Sequence, residues 1–179
     1  MTAFAPLEQN MSSSYKLFMD NCFVENFNYL LKATHGSFAD SIGIDNSIIQ
    51  NLNNGIVLAA DEKGDYNAEM VSISNSQWTN VANNVIHFYR GGYDESTIGG
   101  YLTLSNNTFT RCGQNEKSGL LIKTPGIINV MISANTFTDN PVSLVARMWG
   151  IKNNHHRDNT LVHSGRIIVE EHQKLELLY

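Results

Sequence analysis

Residues 104–109 read LSNNTF and residues 132–137 read ISANTF, and the pattern that they share decides the fold. Each begins and ends with an apolar residue, and its third and fourth positions are Asn, Asp or Ala followed by Asn or Ser. Further copies are FMDNCF from Phe18, IDNSII from Ile44, ISNSQW from Ile73 and, more weakly, HRDNTL from His156. Successive copies start 26, 29, 31, 28 and 24 residues apart. A repeat of such variable length is more typical of parallel strands joined by turns of unequal length than of a helical solenoid.

A second short apolar run follows each copy of the pattern. These runs are NYLLKA from Asn28, GIVLAA from Gly55, NVIHFY from Asn84, GLLIKT from Gly119, VSLVAR from Val142 and RIIVEE from Arg166. They are rich in Ile, Val and Leu and are bounded by Gly, Asn or Asp, which predicts strands. A third strand is predicted before several copies, as in AEMVSI from Ala68 and INVMIS from Ile128. The sequence therefore predicts an all-β fold, a right-handed single-stranded parallel β-helix of about six coils.

Asparagine is unusually frequent, with 22 Asn against 17 acidic residues. We expect the second polar position of each copy to form an inward ladder between coils ~4.8 Å apart; its members are Asn21, Ser47, Ser76, Asn107, Asn135 and Asn159. The alternative is that asparagine serves the turns, because it tolerates left-handed backbone. The residues two positions later are expected to stack as the core: Phe23, Ile49, Trp78, Phe109, Phe137 and Leu161.

The chain is predicted to hold one folded domain. We assign residues 1–13 to an N-terminal extension or cap, residues 14–171 to the β-helix and residues 172–179 to a C-terminal strand or cap. The longest departure from the repeat is YRGGYDESTIGG at residues 89–100, and shorter insertions are DEKGDY from Asp61 and GQNEKS from Gly113. Long insertions in repeat proteins form loops on one face, so we expect all three at one corner, as the wall of a cleft.

Charge and cysteine content narrow the classes of partner. A net charge of -5 argues against a nucleic-acid partner. No apolar run approaches the ~20 residues that cross a bilayer, and we expect no membrane partner and no signal peptide in this chain. Cys22 and Cys112 lack metal-type spacing. Three predicted coil steps, ~14 Å, separate them, whereas a disulfide needs Cα atoms within about 7 Å, so both thiols are expected to be free.

Two stretches carry a resemblance to a known family. RGGYDEST, at residues 90–97, resembles a segment of the second, C-terminal β-helix domain of the longer alginate lyases of polysaccharide lyase family 6, the alginate lyase and chondroitinase B group. KTPGIINVMISANTFTDNPVSLVAR, at residues 123–147, is similar in plan to the catalytic coil pair of that family's N-terminal domain. In that pair a Lys ends one strand, and an Arg follows ten residues after the Phe of an Asn-Thr-Phe turn, as Arg147 follows Phe137 here.

The resemblance implies roles for individual residues. Lyases that cleave uronic-acid polymers remove the proton α to a carboxylate, which requires a base and positive charge on that carboxylate. Lys123 would be the base and Arg147 the acid or carboxylate partner. The family's catalytic domains hold calcium with a Glu-rich strand before the Lys, whereas SGLLIK contains no acid here; we therefore expect no metal site and no cofactor. The resemblance also implies a secreted or periplasmic location.

We therefore expect an accessory or substrate-contacting β-helix domain of an alginate-lyase-like enzyme that is not catalytic alone. Its ligand would be an anionic, uronate polysaccharide such as alginate, and its substrate-binding face would contain His87, Tyr89, Arg90 and Tyr93. A preceding catalytic domain or a second copy of the chain would be its protein partner. Two alternatives stay open: an active β-elimination lyase that uses Lys123 and Arg147, and a structural or adhesive β-helix without a sugar site.

Overall fold

Short parallel strands joined at three corners build the described part of the molecule. A computed structural model describes residues 1–4, 13–33, 37–58, 67–89, 100–127, 129–149 and 153–170. Within these ranges all regular structure is β, and each strand pairs in parallel with the strand of the same sheet in the neighbouring coil. The all-β parallel β-helix is therefore confirmed. No helix in this part of the chain is long and apolar enough to cross a bilayer.

The strands form three sheets, which we name A, B and C. Sheet A contains β1 (Thr2–Phe4), β4 (Tyr29–Lys32), β7 (Asn54–Leu58), β10 (Ile86–Phe88), β13 (Leu120–Lys123), β16 (Leu144–Trp149) and β19 (Arg166–Glu170). Sheet B contains β2 (Ser13–Asp20), β5 (Phe38–Asp45), β8 (Ala68–Ser74), β11 (Tyr101–Ser105), β14 (Asn129–Ser133) and β17 (His155–Arg157). Sheet C contains β3 (Phe23–Glu25), β6 (Ile48–Leu52), β9 (Gln77–Val81), β12 (Thr108–Thr110), β15 (Thr136–Thr138) and β18 (Thr160–Val162). From β2 onward the chain visits sheets B, C and A in turn, so each repeat supplies three strands.

The core of the β-helix contains the predicted aromatic stack. Ile49, Trp78, Phe109 and Phe137 are completely buried. The ring centroids of Trp78 and Phe109 lie 6.2 Å apart, and those of Phe109 and Phe137 lie 4.8 Å apart, with the rings stacked in both pairs. The second of these distances equals the spacing of paired strands, because the rings belong to equivalent positions of adjacent coils. Leu161, predicted to continue the stack, is 40% exposed in β18 at the end of sheet C.

The first repeat is shifted by one residue from the predicted alignment. Asp20 pairs with Asp45, and Val24 pairs with Ile49. Phe23, predicted in the core, is therefore exposed, because a shift of one residue moves a strand side chain to the opposite face. The prediction aligned Phe18 with Ile44, but Phe18 lies on the outer face of sheet B, where its ring covers Gly43.

An inward polar ladder joins the turns between sheets B and C. The backbone N–H of Ser47 donates to Ser76 Oγ (3.1 Å), that of Ser76 to Asn107 Oδ1 (3.0 Å), that of Asn107 to Asn135 Oδ1 (2.9 Å) and that of Asn135 to Asn159 Oδ1 (3.0 Å). The predicted ladder is thus confirmed from Ser47 to Asn159. Asn21 was wrongly included: because of the shifted register, Cys22 takes that position and donates its N–H to Ser47 Oγ.

Asparagine also fills the turn position that precedes the ladder. Asn21, Asn46, Asn75 and Asn106 have φ between 47 and 56°, the left-handed region. Each directly precedes a ladder residue, so one asparagine supplies the turn backbone and the next position supplies the inward hydrogen bond. The ladder and the turn chemistry, weighed as alternatives from the sequence, are both present at adjacent positions.

A second ladder, not predicted, joins the turns between sheets C and A. The N–H of Cys112 donates to Asn140 Oδ1 (2.7 Å), and the side-chain amide of Asn140 donates to Phe109 O (3.0 Å) and Ser164 Oγ (3.1 Å). Cys112 is buried and Cys22 half-buried, and both thiols are free, as expected from their coil separation. Burial raises the pKa of the Cys112 thiol to about 11.

One of the three predicted insertions lies in the described part of the chain. GQNEKS, from Gly113, lies between β12 and β13, at the corner that joins sheet C to sheet A. DEKGDY, residues 61–66, and residues 90–99 of the longest insertion lie outside the described residues, so a common corner stays a prediction. Residues 5–12 and 171–179, which include most of the predicted N-terminal extension and the whole predicted C-terminal cap, also lie outside it.

Candidate functional site

Three basic residues from the predicted site lie side by side on the outer face of sheet A. His87 of β10 pairs with Lys123 of β13. Arg147 of β16 follows Ala146, which pairs with Ile122, the residue before Lys123. The three residues thus occupy one position on three adjacent strands, whose neighbours are ~4.8 Å apart.

The alternation of the strands explains why these side chains face outward. Ile86, Phe88, Ile122, Ala146 and Met148 flank them in sequence and are buried in the core. Successive strand residues point to opposite faces of a sheet, so the basic residue between buried neighbours must point outward. The apolar core therefore fixes the direction of the site residues.

The three residues differ in exposure. His87 and Lys123 are half-buried and Arg147 is exposed. Nε2 of His87 is itself buried, which leaves little of that edge of the imidazole for a ligand. The face is consequently most open at Arg147 and closes toward His87.

An acidic residue that the sequence analysis missed modifies this face. Arg147 donates from Nε (3.0 Å) and from Nη2 (2.8 Å) to the same oxygen, Oε2 of Glu170 in β19. The side chains of Arg147 and Glu170 are 45% and 34% exposed, so solvent screens this ion pair in part. Glu170 is the last residue of β19, RIIVE, on the next strand, so the expected pairing of β16 with β19 could have revealed it.

Of the other predicted binding residues, Tyr89 is in the described part of the chain. Tyr89 is buried, with 9% of its surface exposed, and its N–H donates to Leu58 O (3.0 Å). Arg90 and Tyr93 lie outside the described residues. The structure thus brings together His87, Lys123 and Arg147, while the placement of Arg90 and Tyr93 stays a prediction.

Two acidic residues lie next to each other on sheet B. Asp20 and Asp45 pair across sheet B, and Asn46 Nδ2 donates to a carboxylate oxygen of each. Hydrogen bonds from Ser74 Oγ and Asn75 Nδ2 lower the pKa of Asp45. Among the residues that the structure describes, no group of three or more His, Cys, Asp and Glu side chains is arranged to hold a metal ion.

Comparison of the sequence with protein-family models and with curated proteins found no match. The parallel β-helix therefore rests on the sequence repeat and on the strand pairing. The lyase resemblance rests on the quoted sequence segments alone.

Proposed function

We propose that this chain is a β-helix domain that binds an anionic uronate polysaccharide, such as alginate, on the outer face of sheet A. In this proposal it is an accessory or substrate-contacting part of an alginate-lyase-like polysaccharide lyase and is not catalytic by itself. The observation that carries the proposal is the row of His87, Lys123 and Arg147 on adjacent strands. This basic row stands on a protein with a net charge of -5. An anionic ligand would therefore be attracted to this row, against the net negative charge of the whole protein.

The orientation of the row suits a chain-like ligand. Equivalent positions of adjacent coils follow the axis of the β-helix, so the row runs across the strands and along that axis. A polysaccharide lying along the axis would present one carboxylate after another to side chains on successive strands. Charge repeated at a regular interval on a rigid sheet favours a regular polyanion over a compact anion.

The immediate surroundings of Lys123 support binding without catalysis. Abstraction of a proton α to a carboxylate requires a neutral base and strong positive charge at that carboxylate. The strand that ends at Lys123, Leu120–Lys123, contains no carboxylate that would help to hold a cation. Arg147, the adjacent guanidinium, already donates two hydrogen bonds to Glu170. Its charge is therefore only partly available to a ligand carboxylate.

Calorimetric titration with an alginate octasaccharide tests the proposal. An exposed ion pair contributes up to ~1 kcal/mol to the binding free energy, and a change of ~1.4 kcal/mol alters Kd tenfold. Lys123→Ala should therefore raise Kd by up to about fivefold. Arg147→Ala should raise it more, because the variant also leaves the Glu170 carboxylate facing the ligand. Binding should weaken with salt, because such charges are screened over ~8 to 10 Å at physiological ionic strength.

Matched controls separate this site from general charge attraction. Lys117 is exposed in the turn between sheets C and A, away from the row, so Lys117→Ala should bind like the wild type. A neutral glucan of the same length should not bind. Equal Kd values for wild type, Lys123→Ala and Arg147→Ala would dismiss this face, and no binding by the wild type would favour a structural β-helix. Unsaturated product that disappears in Lys123→Ala would instead identify an active lyase.

A further inference from the structure

The basic row continues on sheet A beyond the residues that the sequence analysis selected. Lys32 of β4 pairs with Val57 of β7, and Val57 pairs with His87. Lys32 therefore occupies the same outward position as His87, two strands earlier. Lys32 is exposed, like Arg147. Val57, which lies between Lys32 and His87, is half-buried and uncharged.

An aromatic side chain accompanies Lys32. The Nζ of Lys32 lies 5.2 Å from the centroid of the Tyr29 ring, within the range of a cation–π contact. Tyr29 is half-buried and begins the strand that ends at Lys32, and the contact itself places its ring beside the Lys32 ammonium. A ring beside an ammonium group provides both an apolar surface and a positive charge, the two features that an anionic sugar can use.

The distance along the row limits which ligands can use both ends. The strands from β4 to β16 are successive neighbours in sheet A, with four intervals between Lys32 and Arg147. At ~4.8 Å for each interval, the two positions are separated by ~19 Å. A disaccharide at Lys123 and Arg147 is too short to reach Lys32, whereas an extended oligosaccharide along the axis can contact all of these positions.

We propose that Tyr29 and Lys32 form a distal binding site for the same extended anionic oligosaccharide, so that the outer face of sheet A selects for chain length. This inference rests on the proposed function, since it assigns an additional contact to that ligand. Lys32 is two strand intervals, ~10 Å, from His87, which is about one screening length at physiological ionic strength. Its charge therefore acts on a ligand that reaches it and adds little attraction for a ligand bound only at the far end.

The test compares two ligand lengths in calorimetric titrations at physiological ionic strength. For the alginate octasaccharide, Lys32→Ala should raise Kd by about threefold to fivefold, in the range of one exposed charge contact. For the alginate disaccharide, the same variant should leave Kd unchanged. Lys32→Arg should restore most of the octasaccharide affinity, because it keeps the charge at this position.

Three variants distinguish failure of this inference from failure of the proposed function. Arg147→Ala should weaken the binding of both ligands, and Lys117→Ala should change neither. Tyr29→Leu should weaken the binding of the octasaccharide alone. If Lys32→Ala binds the octasaccharide like the wild type while Arg147→Ala is weakened, the distal site is overturned and the proposed function stands. An equal loss for both ligand lengths would also overturn it, and equal octasaccharide binding by Arg147→Ala and the wild type would overturn the proposed function itself. Lys32 is exposed, so an unchanged melting curve for its variants will show that the fold is intact.

Discussion

Replacing Asn107 by leucine removes three side-chain hydrogen bonds from the inward ladder. The side chain of Asn107 accepts the N–H of Ser76 (3.0 Å) and donates to Ile73 O (2.8 Å) and to Asn135 Oδ1 (3.0 Å). Asn107 is 1% exposed, so water cannot replace these partners in the folded state. The Ser76 N–H would be left without its acceptor, at a cost of about 1 to 3 kcal/mol, and two further bonds worth ~1 kcal/mol each would be lost. We therefore expect Asn107→Leu to lower the free energy of unfolding by about 3 to 5 kcal/mol.

The structure supplies its own control, because serine already occupies this position in two other coils. Ser76 Oγ accepts the N–H of Ser47 and donates to the carbonyl of Ser74 in its own turn (2.7 Å). The serine hydroxyl of Asn107→Ser should therefore still accept the Ser76 N–H. Only the hydrogen bonds from the side-chain amide to Ile73 O and Asn135 Oδ1 should be lost. Its expected cost is about 1 to 2 kcal/mol, clearly less than that of the leucine variant.

Urea unfolding followed by circular dichroism measures both variants. The midpoint should fall in the order wild type, Asn107→Ser, Asn107→Leu, with similar m-values, because the surface exposed on unfolding is nearly the same. Equal losses for serine and leucine would show that cavity or shape effects dominate, and a loss below ~1 kcal/mol for leucine would refute the ladder as a source of stability. A predominantly helical spectrum of the wild type would refute the fold itself.

Three other predictions concern the cysteines and two glycines. Cys22 is half-buried and Cys112 is buried with a raised pKa, so a thiol reagent should modify Cys22 first and Cys112 only on unfolding. Modification of Cys112 in the folded protein as fast as an exposed thiol would contradict this. Because the folded pKa of Cys112, about 11, exceeds its usual value of 9.0, the neutral thiol supports stability fully below pH 9.0, and this support should be lost as the pH rises toward 11. Gly55→Ala would place a Cβ 2.1 Å from Val85 O in the next coil, whereas Gly43→Ala meets only the Phe18 ring, which can rotate away. Thermal melts should show a loss of about 1 to 3 kcal/mol for Gly55→Ala and a much smaller change for Gly43→Ala; equal losses would contradict the close approach of these coils.

The fold could be predicted from the sequence because the repeated residues are those that face the interior of the β-helix. Trp78, Phe109 and Phe137 recur with a fixed offset from an inward polar residue, and both positions are buried. Phe18 and Phe23 misled the alignment of the first repeat, since an exposed phenylalanine reads like a core residue. The strand pairing, for example of Asp20 with Asp45 and of Val24 with Ile49, shows the correct register. The second ladder was missed because Cys112, Asn140 and Ser164 share no residue type.

The candidate site was harder to predict because outward positions carry no repeat. Lys123 and Arg147 were found through a family resemblance, and their adjacency follows from two runs of similar length that both end in a basic residue. Lys32 also ends such a run, but Val57 interrupts the basic row between it and His87. Sequence inspection therefore gave no reason to connect Lys32 with the others until the strand pairing was known.

The two faces of sheet A are under different physical constraints. An inward residue such as Ile122 must fit the neighbours above and below it, since interiors are close-packed, so its type is narrowly determined. The outward residue next to it, Lys123, meets solvent and can vary without changing the backbone. Its neighbours in the row are nevertheless held at the strand spacing by the inward residues. Charge on this face can therefore change one coil at a time while the interval between charges stays fixed, and that fixed interval would let a rigid sheet recognise the regular repeat of a polysaccharide.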